Sequence, residues 1–213
     1  MAPALAIFDC DGVLVDSEPI ANRVLARRLS EAGLPTSYDE SITSYLGLSL
    51  KAALAKAEAL HGTSLTPDFA ETLQAETFAA FETDLTPVAG VIGALDALPC
   101  PTCVASSGAH DKMRLTLGIT GLYARFEGRI FSATEVARGK PFPDLFLHAA
   151  ERMAVAPGDC VVIEDSPFGV QAAIAAGMRV LGYVGGATAQ PLAAHGATEF
   201  ADMAELPGLL TAV

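Results

Sequence analysis

The chain has 213 residues, with 25 acidic side chains against 13 basic ones, a net charge of −12 and 51% hydrophobic content. These proportions exclude a disordered or low-complexity protein, and they disfavour nucleic acid as a partner, because Lys and Arg must neutralise its phosphates. No apolar stretch reaches the roughly 20 residues of a membrane-spanning helix, and no basic segment and apolar run precede the first strand, so no membrane partner and a cytoplasmic location are expected.

Residues 4–8, Ala-Leu-Ala-Ile-Phe, form a short continuous apolar run of the kind found in buried parallel strands. The run ends in Asp9-Cys10-Asp11-Gly12, which places two carboxylates at the carboxyl end of a strand. Ligands bind at that end in open α/β sheets. Residues 16–87 show only helical periodicities, broken by turns at Gly33-Leu34-Pro35-Thr36, Gly47 and His61-Gly62-Thr63-Ser64. They predict an all-α insert of about four helices. Both of its joints fall close to the carboxylate pair, as a closing lid requires.

From residue 88 the pattern alternates. Strands are predicted at 102–106, 160–163 and 179–183, with weaker ones near 129–131 and 197–200, and helices near 89–98, 110–117, 143–153, 167–176 and 202–210. Pro143-Asp144 and Ser166-Pro167 mark helix entries, and Gly118 and Gly177 mark helix stops. Such alternation predicts a parallel sheet covered by helices. Cys100-Pro101-Thr102-Cys103 has the C-x-x-C spacing. It leads into a strand instead of opening a helix and lacks a second pair, so buried reduced thiols are expected.

Three more polar groups adjoin apolar runs. Ser106-Ser107-Gly108 follows Cys103-Val104-Ala105 and can hold a phosphate oxygen with a hydroxyl and backbone N–H groups. Lys140 sits between Gly139 and Pro141-Phe142-Pro143, a restricted loop presenting one compact positive charge. Glu164-Asp165 follows Cys160-Val161-Val162-Ile163, a second acidic pair at the end of a buried strand. Together with Asp9 and Asp11 it offers the oxygen ligands that Mg²⁺ prefers. Read singly, these groups are also a turn, a solvated lysine and a helix cap.

In this order the four segments resemble the motifs of the haloacid dehalogenase-like hydrolase superfamily, over nearly the whole chain. Asp9-Cys10-Asp11-Gly12-Val13-Leu14-Val15-Asp16-Ser17-Glu18 is similar to the first motif, Val104-Ala105-Ser106-Ser107 to the second, Gly139-Lys140-Pro141-Phe142-Pro143-Asp144 to the third, and Ile163-Glu164-Asp165-Ser166 to the fourth. The resemblance implies a Rossmann-like three-layer α/β core with a parallel sheet (1–15 and 88–213) and a small helical cap (16–87). It implies Asp9 as nucleophile, Asp11 as general acid/base, Ser106 and Lys140 as phosphoryl binders, and Mg²⁺ held by Asp9, Glu164, Asp165 and the Asp11 carbonyl. Ser107, Gly108, Glu18 and His110 are expected to contact the substrate, with Lys51, Lys56 and Lys112 as further specificity candidates. The implied substrate is a small phosphorylated metabolite acted on by a monomer.

Asp11 argues for phosphoryl chemistry over dehalogenation, because dehalogenating members of the family lack a second aspartate there. Within the capped subgroup the chain looks closest to sugar-phosphate phosphatases, the 6-phosphogluconate phosphatase group included. The alternative is a mutase of the beta-phosphoglucomutase type. Mutases of this subgroup carry a cap histidine shortly after the first motif, whereas here the neighbourhood reads Pro19-Ile20-Ala21-Asn22. A phosphonate hydrolase would use Lys51 or Lys56 to form an imine. A calcium loop fails, since Val13 stands where a third oxygen ligand belongs. A binding module without catalysis would retain the fold and not need every one of these positions.

Overall fold

The computed structural model describes residues 2–46, 48–186 and 190–211. Strand β1 (Leu5–Phe8) is followed by helices α1 (Glu18–Glu31), α2 (Tyr38–Tyr45), α3 (Leu50–His61) and α4 (Phe69–Asp84). After α5 (Val91–Ala97) strands and helices alternate: β2 (Thr102–Ser106), α6 (His110–Ile119), α7 (Tyr123–Phe126), β3 (Ile130–Ser132), α8 (Asp144–Arg152), β4 (Cys160–Glu164), α9 (Pro167–Ala175), β5 (Arg179–Tyr183), β6 (Thr198–Phe200) and α10 (Leu206–Thr211). Met1–Asp16 with Thr86–Val213 make one compact unit and Ser17–Leu85 a second.

The six strands form one parallel sheet in the order β3-β2-β1-β4-β5-β6. The chain winds outward from β1 to β3 and then crosses to β4 on the other side of β1. That reversal creates a crevice beside the carboxyl end of β1, the usual ligand position in doubly wound folds. Pairing explains the apolar runs: all four residues of β1 and all five of β4 are buried. On one face Leu5, Ile7, Cys103 and Val162 pack with Leu145 and Phe146 of α8 and Val170 of α9. On the other, the Phe8 ring meets Phe126 of α7 at 6.4 Å, so helices cover both sides and three layers result. Each fully buried large side chain contributes roughly 1.5–3 kcal/mol.

The two expected helix entries are present, with Pro143 as the N-cap of α8 and Ser166 Oγ accepting from the Gly169 N–H ahead of Pro167. Helix α6 runs through Gly118 to Ile119 and the chain turns only at Gly121, so Gly118 is no stop. Four-residue α7 had no periodicity to announce it. All four cysteines are free thiols. Cys103 lies in the core, where burial pushes its thiol up to about 12, too high for redox work at neutral pH.

The second unit is built from the first four helices alone. Ser37 opens α2 with a reciprocal capping box to Glu40. Val24, Leu29, Leu34, Tyr45, Phe69 and Leu73 form its apolar centre. Asn22, in the segment Pro19-Ile20-Ala21-Asn22 that carries no histidine, is committed internally: it accepts from Ser41 Oγ (2.8 Å) and donates to Glu18 Oε2 (3.1 Å). The turn expected at Gly47 lies outside the described residues.

Candidate active site

Parallel pairing sets Phe8 level with Val104 and Ile163, so the chain leaves β1, β2 and β4 at one height. Asp9, one residue past β1, extends the ladder by donating its N–H to the Ile163 carbonyl (3.0 Å). Residues 10–15 then fold into a tight loop: Leu14 and Val15 both donate to the Cys10 carbonyl (2.9 and 3.1 Å), and Gly12 to the Val15 carbonyl (2.9 Å). The two aspartates therefore sit on a hydrogen-bonded turn, not a free segment.

Lys140 joins the strand ends. Its Nζ lies 2.6 Å from Asp9 Oδ1 and 2.6 Å from Glu164 Oε1, and 5.1 Å over the Phe146 ring. The side chain is only 6% exposed. Glu164 is wholly buried. Such a charge is costly unless every lone pair is used. Its second oxygen accepts from Asp165 N (2.9 Å), Ser166 N (2.8 Å) and Ser166 Oγ (2.9 Å). Helix α9 packs so near that a Cβ at Gly169 would stand 1.7 Å from Glu164 Oε1, which requires glycine there.

Burial pushes the Asp9 carboxyl up to about 7, with Glu164 and Asp11 adding to the rise and Lys140 opposing it. Burial would depress the Lys140 ammonium, yet Asp9 and Glu164 outweigh it and hold that group above the ordinary lysine range. One ammonium thus serves a site with an excess of carboxylate. Asp9, Glu164 and Asp165 offer oxygens within 4.8 Å of one another, the hard donor set that suits a divalent cation of the Mg²⁺ class. Because both Glu164 oxygens are engaged, Asp9 and Asp165 are the better placed direct ligands.

Asp11 stands apart from that triad. Its Oδ2 accepts from Lys112 Nζ at 2.8 Å, and Lys112 projects from α6, the helix that follows the Ser106-Ser107-Gly108 turn. In that turn Ser106 is buried and Ser107 exposed. Ser106 Oγ accepts from the Gly108 N–H (3.1 Å), which leaves its own proton for a phosphoryl oxygen. His110, expected at the substrate, is half exposed and its Nε2 pairs with Glu135 Oε1 at 2.8 Å. Glu18 belongs to the helical unit, as do Lys51 and Lys56, the latter donating to the Ser44 carbonyl (2.8 Å).

Gly12 ties the loop to the acids. Its φ is +75°, and an added Cβ would sit 1.9 Å from Asp165 Oδ2. Gly12→Ala is therefore expected to cost about 1–3 kcal/mol of stability and to displace Asp165. A thermal-shift titration should show Mg²⁺ binding weakened on the order of ten-fold. Unchanged Mg²⁺ affinity would refute the link.

A doubly wound parallel sheet bearing buried acids and one lysine at its switch point defines an α/β enzyme with a carboxylate-rich, cation-ready centre. The chain belongs to the haloacid dehalogenase-like hydrolase family, whose model matches residues 3–177; it is a hydrolase. It is 32% identical over 203 residues to the 6-phosphogluconate phosphatase of Escherichia coli (strain K12), covering 95% of this chain and 92% of that one. Among solved structures, a conserved haloacid dehalogenase-like protein of unknown function from Agrobacterium tumefaciens superposes with a TM-score of 0.89 at 37% identity, covering 98% of both chains. A family hydrolase from Deinococcus radiodurans, solved with bound phosphate and sodium, gives 0.83 at 32% identity over 100% of this chain and 97% of its own.

Proposed function

We propose that this chain is a Mg²⁺-dependent phosphatase that hydrolyses a small sugar phosphate through a phosphoryl-aspartate at Asp9. The observation that carries the reading is Lys140, fixed at 2.6 Å from both Asp9 and Glu164 where β1 and β4 end. A carboxylate so placed can attack phosphorus while the ammonium offsets charge on the phosphoryl oxygens. Asp9 forms a bond to phosphorus as the ester P–O bond breaks, and Asp11 gives its proton to the departing alcohol. The same Asp11, oriented by Lys112, next takes a proton from the water that attacks the aspartyl phosphate, freeing Asp9 and inorganic phosphate. Ser106 and the amides of its turn hold the phosphoryl oxygens throughout. Asp9, Asp165 and the Asp11 carbonyl, with Glu164 behind them, would hold Mg²⁺, which would supply the positive charge that lets an anionic nucleophile meet an anionic phosphoryl group.

The sugar-phosphate class rests on the Escherichia coli relative, named for 6-phosphogluconate. The four-helix unit is assigned the role of cap, with Glu18, Lys51 and Lys56 as its candidates for substrate contact. No helix among the described residues is long and apolar enough to cross a membrane. A panel of phosphorylated metabolites including 6-phosphogluconate, assayed for phosphate release, should identify at least one substrate turned over with Mg²⁺ and not in excess chelator. Turnover that survives the chelator would overturn the metal role. A hexose 1-phosphate converted mainly to its 6-phosphate isomer would make the protein a mutase.

A further inference from the structure

Gly108 closes the turn after β2, and the structure grips it from both sides. Its N–H donates to Ser106 Oγ, and its carbonyl accepts from Ser132 Oγ at 2.7 Å. Ser132 ends β3, level with Ser106 in the parallel register, and is wholly buried. A hydroxyl has one proton to give and two lone pairs. Ser132 Oγ accepts from Thr134 N (3.1 Å) and Thr134 Oγ1 (2.9 Å), so its proton is committed to Gly108.

Ser132 is itself anchored by Glu135. Its N–H donates to Glu135 Oε1 (2.7 Å) in a reciprocal capping box. The same carboxylate pairs with His110 Nε2 (2.8 Å), from the first residue of α6, and with His148 Nε2 (3.2 Å), from α8. The His148 ring also stands edge-on to Phe131, 5.6 Å between centroids, one residue before Ser132. The end of β3, the start of α6 and the side of α8 thus converge on one carboxylate.

We propose that Ser132 and Glu135 are positioning residues for the phosphate-binding turn: Ser132 fixes the Gly108 peptide, and Glu135 fixes Ser132 and His110. The inference rests on the phosphatase reading, and it makes His110 a support of the turn in place of a substrate contact. Hydrogen-bond donors aimed in advance at a phosphoryl group lose little to reorganisation. Both residues lie outside the four motifs that resemble the family.

The test compares Ser132→Ala and Glu135→Ala with Thr120→Ala, which deletes another buried hydroxyl, one that donates to the Thr116 carbonyl (2.8 Å) at the far end of α6. KM and kcat for p-nitrophenyl phosphate, Ki for inorganic phosphate and Tm are measured on each. Ser132→Ala should raise KM and phosphate Ki together by about ten-fold, with a smaller change in kcat, since the turn holds the phosphoryl group in ground and transition states alike. Glu135→Ala, at a partly exposed position, should move both constants the same way. Thr120→Ala should lower Tm and leave both constants in place. Ser132→Ala and Glu135→Ala that lower Tm yet keep KM and phosphate Ki within about two-fold of the parent would overturn the proposal. A parent that releases no phosphate defeats the phosphatase reading instead. In that case the stabilisation of each variant by inorganic phosphate still decides the role of Ser132, with undiminished stabilisation counting against it.

Discussion

Asp9→Asn should abolish phosphate release, lowering kcat by at least about 10⁴-fold, while the protein stays folded. The amide keeps the shape of the carboxyl group but cannot form a bond to phosphorus that water later breaks. The fold does not depend on the charge, because Lys140 retains Glu164 at 2.6 Å. Removal of one of several crowded acids relieves the repulsion that, with burial, pushes the Asp9 carboxyl up to about 7. Thermal stability in chelator at pH 8 should accordingly hold or rise by a few degrees, about 1 kcal/mol or more. Rapid acid quenching of the parent with substrate should give a protein heavier by one phosphoryl group, and the variant should not. A variant that keeps a tenth of the parental rate would refute the covalent route, since proximity of the remaining groups cannot replace the nucleophile.

The strands were legible because a strand buried on both faces has no polar alternative: Leu5–Phe8 and Cys160–Ile163 read as continuous apolar runs and pair side by side. Strand β3 was harder. Three residues carry little pattern, and the predicted 129–131 stops one short of Ser132, the residue whose hydroxyl matters. A local signal was nevertheless present, since Ser132-Ala133-Thr134-Glu135 has the Ser-x-x-Glu form of a capping box. Which groups meet was not legible from local pattern. Lys140 lies 131 residues from Asp9 and Lys112 lies 101 from Asp11, and these pairs form because parallel pairing brings the carboxyl ends of β1, β2, β3 and β4, and the segments that follow them, to one edge of the sheet. His110 was expected at the substrate, and local pattern gave no sign of the carboxylate its ring meets, 25 residues away in Glu135.

Lys140→Met should separate stability from activity along the pH axis. The substitution leaves Asp9 and the wholly buried Glu164 without the ammonium that serves both, and breaking a buried pair on one side costs about 3–5 kcal/mol. Proton uptake is the available remedy. A carboxyl whose folded pKa is raised contributes stability that is complete below its unfolded value, near 3.9, and is lost as pH rises through the folded value. In the parent that folded value is about 7 for Asp9, with Lys140 opposing the rise. Without Lys140 it moves higher, so the stability difference between parent and variant, measured in chelator, should be larger at pH 8 than at pH 5 by about 1 kcal/mol, which accrues between pH 7 and 8, where the parental Asp9 has titrated and the variant's has not. Taking the difference cancels the titrations common to both proteins. Mg²⁺ should restore part of the lost stability at pH 8, because it places positive charge among the same oxygens. Activity should not recover in acid. Without the ammonium nothing on this side of the site offsets charge on the phosphoryl oxygens at either pH, so kcat/KM should stay at least about 10²-fold below the parent at pH 5, where the stability deficit is smaller. A stability deficit that is the same at both pH values would show that the Lys140 ammonium is not what balances these carboxylates.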